Sequence, residues 1–190
     1  MKLPIIAYGD SVLRKKATDI PTGYPDLDAL IANMFETMYG AHGVGLAAPQ
    51  IGVSLRLFVI DATSFAEDEP ALKDFKKVFI NAQVLEESGE KWVFNEGCLS
   101  IPEIREDIHR QDTVRISYVD EMWNQHEETY TGLAARVIQH EYDHIEGKLF
   151  TDKLSPLRKA MLKKRLDSIS KGMIKVDYKM KFPALKKGKR

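Results

Sequence analysis

Leu133-Ala134-Ala135-Arg136-Val137-Ile138-Gln139-His140-Glu141-Tyr142-Asp143-His144-Ile145-Glu146 reads as one helix, and Gly147 follows as its stop. Leu133, Ala134, Val137, Ile138 and Ile145 make it a largely buried helix around which the rest must pack. Within it lies the pattern H-E-x-x-H. Residues four apart share a helical face, so His140 and His144 can grip one metal ion. Glu141 lies beside that face, where it can act as general base on a water without ligating the metal. Two imidazoles and a carboxylate on a buried helix are costly unless they are paired or ligating. The alternative is a pair of hydrogen-bonded core histidines.

The third ligand decides the kind of site. A metzincin continuation would need histidine at position 150, which is Phe150, although Gly147 stands where its glycine would. A thermolysin-like site wants a glutamate on a following helix, and the helix after Ser155 offers only Asp167. Cys98 remains, the single cysteine, in Glu96-Gly97-Cys98-Leu99-Ser100. A glycine beside it lets the loop approach a metal closely. Thiolate plus two imidazoles suits zinc or ferrous iron, and three protein ligands leave a position for water, as catalytic sites do. His42, His109 and His126 stand alone and are assigned no role.

Outward from this centre, residues 26 to 39 read as a helix with Leu27, Leu30, Ile31, Met34, Phe35 and Met38 on one stripe and Gly40 as its stop. Strands are expected at 55–60, 78–85, 91–94, 113–120 and 126–131, with 62–76 a surface loop. Ser155-Pro156 starts a third helix that Gly172 ends. Strands clustered before and between helices argue for α+β. The expected architecture is a single domain, mostly antiparallel sheets packed around the helix of 133–146, plus a C-terminal helix. Residues 1–170 form the catalytic domain, and 171–190 a basic tail whose contact with ribosomal RNA is conceivable on charge alone.

The 190 residues, 44% hydrophobic, suffice for one domain with a sizeable core. Lysine plus arginine equal aspartate plus glutamate at 28 each, so nothing pulls the molecule toward DNA or a membrane surface. No apolar run nears the roughly 20 residues of a membrane span, and the opening residues turn polar too soon for a signal peptide. A cytoplasmic protein is expected, and one cysteine excludes an internal disulfide framework.

Gly43-Val44-Gly45-Leu46-Ala47-Ala48-Pro49-Gln50, Glu96-Gly97-Cys98-Leu99-Ser100 and Gln139-His140-Glu141-Tyr142-Asp143-His144 occur together and in this order. With them the chain resembles the bacterial peptide deformylases over roughly its first 165 residues. The resemblance implies removal of the formyl group from the N-terminal formylmethionine of nascent polypeptides by a metal-dependent hydrolase. A metal-bound water would be the nucleophile and Glu141 the general base and acid. It implies ferrous iron, with zinc, nickel or cobalt as replacements, and assigns the Gln50 side-chain amide and the Leu99 backbone N–H to the oxyanion. An extended peptide is expected to bond to main chain near Gly45 and Gly97 as an added strand. Leu133 and Val137, with Val44, are expected to wall a slot for the methionine side chain. Arg136 is expected at the rim of that slot with its stem packed. Arg105 is expected to be structural or substrate-orienting. The other readings of the same residues are a zincin-type peptidase and a non-catalytic, metal-stabilised binding domain.

Overall fold

The computed structural model describes residues 1–183. Its main sheet is antiparallel and built from β2 (Gly45–Ala47), β3 (Leu57–Asp61), β4 (Lys76–Cys98), β5 (Ile101–Val119) and β6 (Gln125–Thr131), in that spatial order. A small parallel pair joins β1 (Ile5–Ile6) to β7 (Met180–Lys181). The helices are α1 (Leu27–Gly40), α2 (Gly132–Ile145) and α3 (Pro156–Ser170). This is the expected α+β architecture, with the helix of His140 and His144 at its centre.

Period-two alternation explains how two helices share one sheet. Phe58 and Ile60 of β3, with Phe79 of β4, face Ala135, Ile138 and Ile145 of α2. Leu57 and Val59, with Val78 and Ile80, turn the other way onto Ile31, Met34 and Met38 of α1. Both faces of these short strands are therefore buried, and they read as continuous apolar runs. β5 changes partners along its length. Val114, Ile116 and Tyr118 pack under α2, whereas Ile101, Ile104 and Ile108 pack on Leu162, Leu166 and Ile169 of α3.

Three boundaries differ from those expected. The strands of 78–85 and 91–94 are one strand, β4, bent by register shifts between Ile80 and Gln83, Val84 and Glu86, and Ser88 and Lys91. β5 starts at Ile101 rather than near Thr113, because Glu106 and Arg110 occupy inward positions and break the apolar alternation. Their charges are answered inside, Glu106 by Arg158 at 2.7 Å and Arg110 by Glu96 at 2.7 Å. The expected loop of 62–76 carries two short 3-10 turns, Thr63–Phe65 and Pro70–Leu72. Gly147 ends α2 as expected. Its φ is 71°, and a Cβ there would lie 2.7 Å from the Arg14 carbonyl oxygen.

As far as Pro183, the basic segment belongs to the body. It runs back from α3 with bends at Ile174, Asp177 and Tyr178 before β7. Ile174, Val176, Tyr178, Met180 and Phe182 are half-buried, while Lys175, Asp177, Lys179 and Lys181 are exposed. Ile5 N–H donates to the Lys179 carbonyl at 2.8 Å and Ala7 N–H to the Lys181 carbonyl at 2.9 Å. Lys186, Lys187, Lys189 and Arg190, on which most of the tail's charge rests, lie outside the described residues.

Candidate active site

The site forms where α2 passes the end of β4. Cys98 is the last residue of β4 and turns toward the helix. One ligand atom each from Cys98, His140 and His144 lies within 4.8 Å of the others. Cys98 Sγ is 3.3 Å from His144 Nε2. His140 Nδ1 bonds to Glu96 Oε2 at 2.9 Å, which leaves its Nε2 for the site. Both imidazoles are enclosed by protein.

The donor set fits a divalent ion by its own chemistry. Burial alone would drive charge off His140, yet the sulfur of Cys98 and the carboxylate of Glu96 push its pKa up to about 10. The pocket thus calls for positive charge where the three donor atoms converge. A dication bound there would supply that charge with both rings neutral. Burial, with His140 beside it, drives His144 well below the ordinary imidazole value, which suits a ligand that must be unprotonated.

Glu141 follows His140 in sequence and is almost fully buried. Burial raises its pKa to about 7. Its Oε2 has no hydrogen-bond partner among the described residues. A buried carboxylate oxygen left without a partner beside a cavity marks room for a water or a substrate proton. The carboxylate fits there because residue 45 is glycine. A Cβ on Gly45 would lie 2.4 Å from Glu141 Oε1. The expectation gave this glycine to the ligand's approach; its closest neighbour is the carboxylate.

Gln50 is buried at the other side of the sulfur. Its Oε1 accepts from the Ala47 N–H at 2.8 Å, which fixes the orientation of the amide. The Nε2 therefore points to Cys98 Sγ at 3.5 Å and Ser100 Oγ at 3.4 Å. The Leu99 carbonyl accepts from Tyr178 Oη at 2.9 Å, so the turn after Cys98 is tied from the C-terminal side.

A cavity of about 900 Å³ opens over these groups. Val44, Gly45, Gly97, Leu99 and Val137 all line it. Leu133 does not. Two turns before His140, it packs half-buried against the core under β3 and β4, and its N–H donates to Glu69 Oε2 at 3.0 Å. Arg136 lines the cavity, but as a buried group and not at a rim. It is 1% exposed, and its guanidinium bonds to Glu96 Oε1 at 2.9 Å and the Ile108 carbonyl at 3.0 Å while lying over the Trp92 ring. Arg105 lines the cavity and bonds through Nε to Asn95 Oδ1 at 2.9 Å.

Sequence reasoning passed over Glu96, which organises the site. It is 4% exposed and takes bonds from Arg110, Arg136 and His140. Burial opposes its ionisation, but His140 and Arg110 hold its pKa far below the usual carboxylate range. Asp143 takes the remaining arm of Arg110 at 2.7 Å. Such partners fix the tautomer and orientation of a ligating histidine. The available signal was the glutamate two residues before the proposed cysteine ligand.

The profile of the family described as Polypeptide deformylase matches residues 2–160. Among curated proteins, the peptide deformylase of Christiangramia forsetii is 61% identical over the whole of both chains, and that of Flavobacterium johnsoniae 57%. Among solved structures, a peptide deformylase from Legionella pneumophila is 40% identical with a TM-score of 0.80, covering 91% of this chain and 98% of its own. The Thermotoga maritima peptide deformylase is also 40% identical, with a TM-score of 0.73, covering 82% of this chain and 99% of its own.

Proposed function

The chain belongs to the polypeptide deformylase family and is a hydrolase, and from that premise we propose that it removes the formyl group from the N-terminal formylmethionine of newly made polypeptides. The observation that carries this reading is the meeting of Cys98, His140 and His144 beside the open oxygen of Glu141. Cys98 Sγ and the two Nε2 atoms would hold one divalent ion, ferrous iron first, with zinc, nickel or cobalt as replacements. When bound, the ion supplies a Lewis acid that acidifies a water and polarises a carbonyl.

The remaining steps belong to the chain. Glu141 Oε2 takes a proton from the attacking water. Oxygen bonds to the formyl carbon, and the carbonyl oxygen gathers negative charge. The Gln50 Nε2–H and the Leu99 N–H stabilise that charge as neutral donors whose strength does not change with pH. Glu141 returns the proton to the departing nitrogen, the C–N bond breaks, and formate and a free methionyl amine leave.

The peptide would lie as an added strand. β2 stands at one end of the sheet order, and its outer edge has no strand partner among the described residues. Val44 and Val137 wall the cavity near the ligands and suit the methionine side chain. Arg105 is placed to orient the peptide or to brace Asn95. No described helix is long and apolar enough to cross a membrane; cytoplasmic residence, at the point where nascent chains emerge, goes with the proposed substrate.

Incubation of the protein with formyl-Met-Ala-Ser under oxygen-free conditions tests the reading. Formate release at the rate the peptide disappears supports it. Cleavage of an internal amide instead would make the site that of a peptidase. Metal analysis of Cys98→Ala tests the ligand set, and an unchanged ion content would require a different third ligand.

A further inference from the structure

Beyond residue 160, where the family match ends, the segment 174–182 returns to the active-site cavity. Lys175, Val176, Asp177 and Tyr178 line the same cavity as Cys98, His140 and Glu141. The segment is held at both sides of the mouth. Tyr178 Oη donates to the Leu99 carbonyl at 2.9 Å. Asp177 Oδ2 lies 3.4 Å from Nε2 of His42, in the loop that leads to Val44 and Gly45. Pairing of β7 with β1 anchors it further on.

A linear peptide with its formyl end at the buried ligands has to leave through that mouth. Extended chain advances about 3.3 Å per residue, so the two residues after methionine lie roughly 7 to 10 Å out from the reacting carbon. Val176 and Tyr178 line the cavity through which those residues would pass. We propose that residues 174–182 are a strap forming the outer wall of the peptide cleft, with Val176 and Tyr178 receiving the residues that follow formylmethionine. The recognised ligand is a linear peptide with apolar side chains at those positions. The inference rests on the deformylase reading and adds a specificity determinant to it.

The test compares kcat/KM of the metal-loaded, full-length enzyme for formyl-methioninamide, which ends before the strap, and formyl-Met-Leu-Leu, which reaches it. The Val176→Asp variant is expected to lose at least about fivefold more on the tripeptide than on the amide. Tyr178→Phe keeps the ring but releases the strap from Leu99, and should show the same bias at smaller size. Lys179→Ala, on the outward face, should alter neither substrate. Equal losses on both substrates, or no loss, would overturn the strap's role. If Val176→Asp does not fold, Val176→Thr, of nearly the same volume, is read by the same criterion. A wild-type enzyme that released formate from neither substrate would instead refute the deformylase reading.

Discussion

Gly45 and Glu141 constrain each other directly. The Gly45→Ala variant would force the carboxylate off its position, since the added carbon would sit 2.4 Å from Oε1. Loss of a placed general base costs about 100-fold or more in rate. We therefore expect kcat to fall on that scale with an unchanged circular dichroism spectrum, and near-normal turnover would show that the carboxylate can act from elsewhere. Glu141→Ala should abolish formate release while metal content stays within error, because the residue holds no ion. Retained activity would remove it from the mechanism. Glu96→Ala should act differently. It leaves Arg110 and Arg136 buried with one partner fewer and frees the His140 ring. Breaking a buried ion pair from one side costs about 3–5 kcal/mol, which urea unfolding should report together with weaker metal retention. The two histidines and Glu141 were legible in sequence because helical spacing places them, and Cys98 because it was the candidate that remained for the third ligand. Glu96 and Arg136 were not, because a buried charge network depends on which residues of distant strands meet.

Strands carry the register on which those residues depend. At the first bend of β4, Asn81 has a φ of 53°, a left-handed conformation that asparagine tolerates. Its side chain copies a strand neighbour, accepting from Ile20 N–H at 2.7 Å and donating to the Ile20 carbonyl at 2.9 Å. Asn81→Ala would strand both backbone groups and strain the turn, for a loss of about 1–3 kcal/mol. A thermal midpoint unchanged from wild type would place the bend's stability elsewhere. Two helices could be read from their apolar residues and stops, and the third from its Ser155-Pro156 start and Gly172 stop. The first half of β5 could not, because Glu106 and Arg110 point inward where the pattern calls for apolar residues. The strap has a clean period of two, Ile174-Val176-Tyr178-Met180-Phe182, but its outward lysines gave the segment the composition of a solvated tail. Composition averages over both faces of a strand, whereas burial acts on one.

Across the whole molecule, acid should weaken the fold. Several carboxylates outside the metal site ionise more readily folded than unfolded. For Asp152, burial opposes ionisation, but bonds from Arg14 and the Leu149 N–H outweigh it and hold the pKa down. Asp120 is held at about 2, burial again being outweighed, here by His126, Asn124 and backbone N–H groups. Their contribution is complete above the ordinary carboxylate value of about 4 and is lost as pH falls through the lower folded-state values. With a chelator present, so that metal release does not intervene, the urea midpoint should drop between about pH 5 and pH 2. A flat or rising midpoint in that window would contradict these assignments. The parallel pairing of Ile5–Ile6 with Met180–Lys181 has another consequence, for the order of events during synthesis. Ile5 is translated 175 residues before Met180, its partner across the pair. Until that segment emerges, the amides of Ile5 and Ala7 wait unmatched. A hydrolase of this family thus cannot close this pair of strands until nearly all of its described residues have been made.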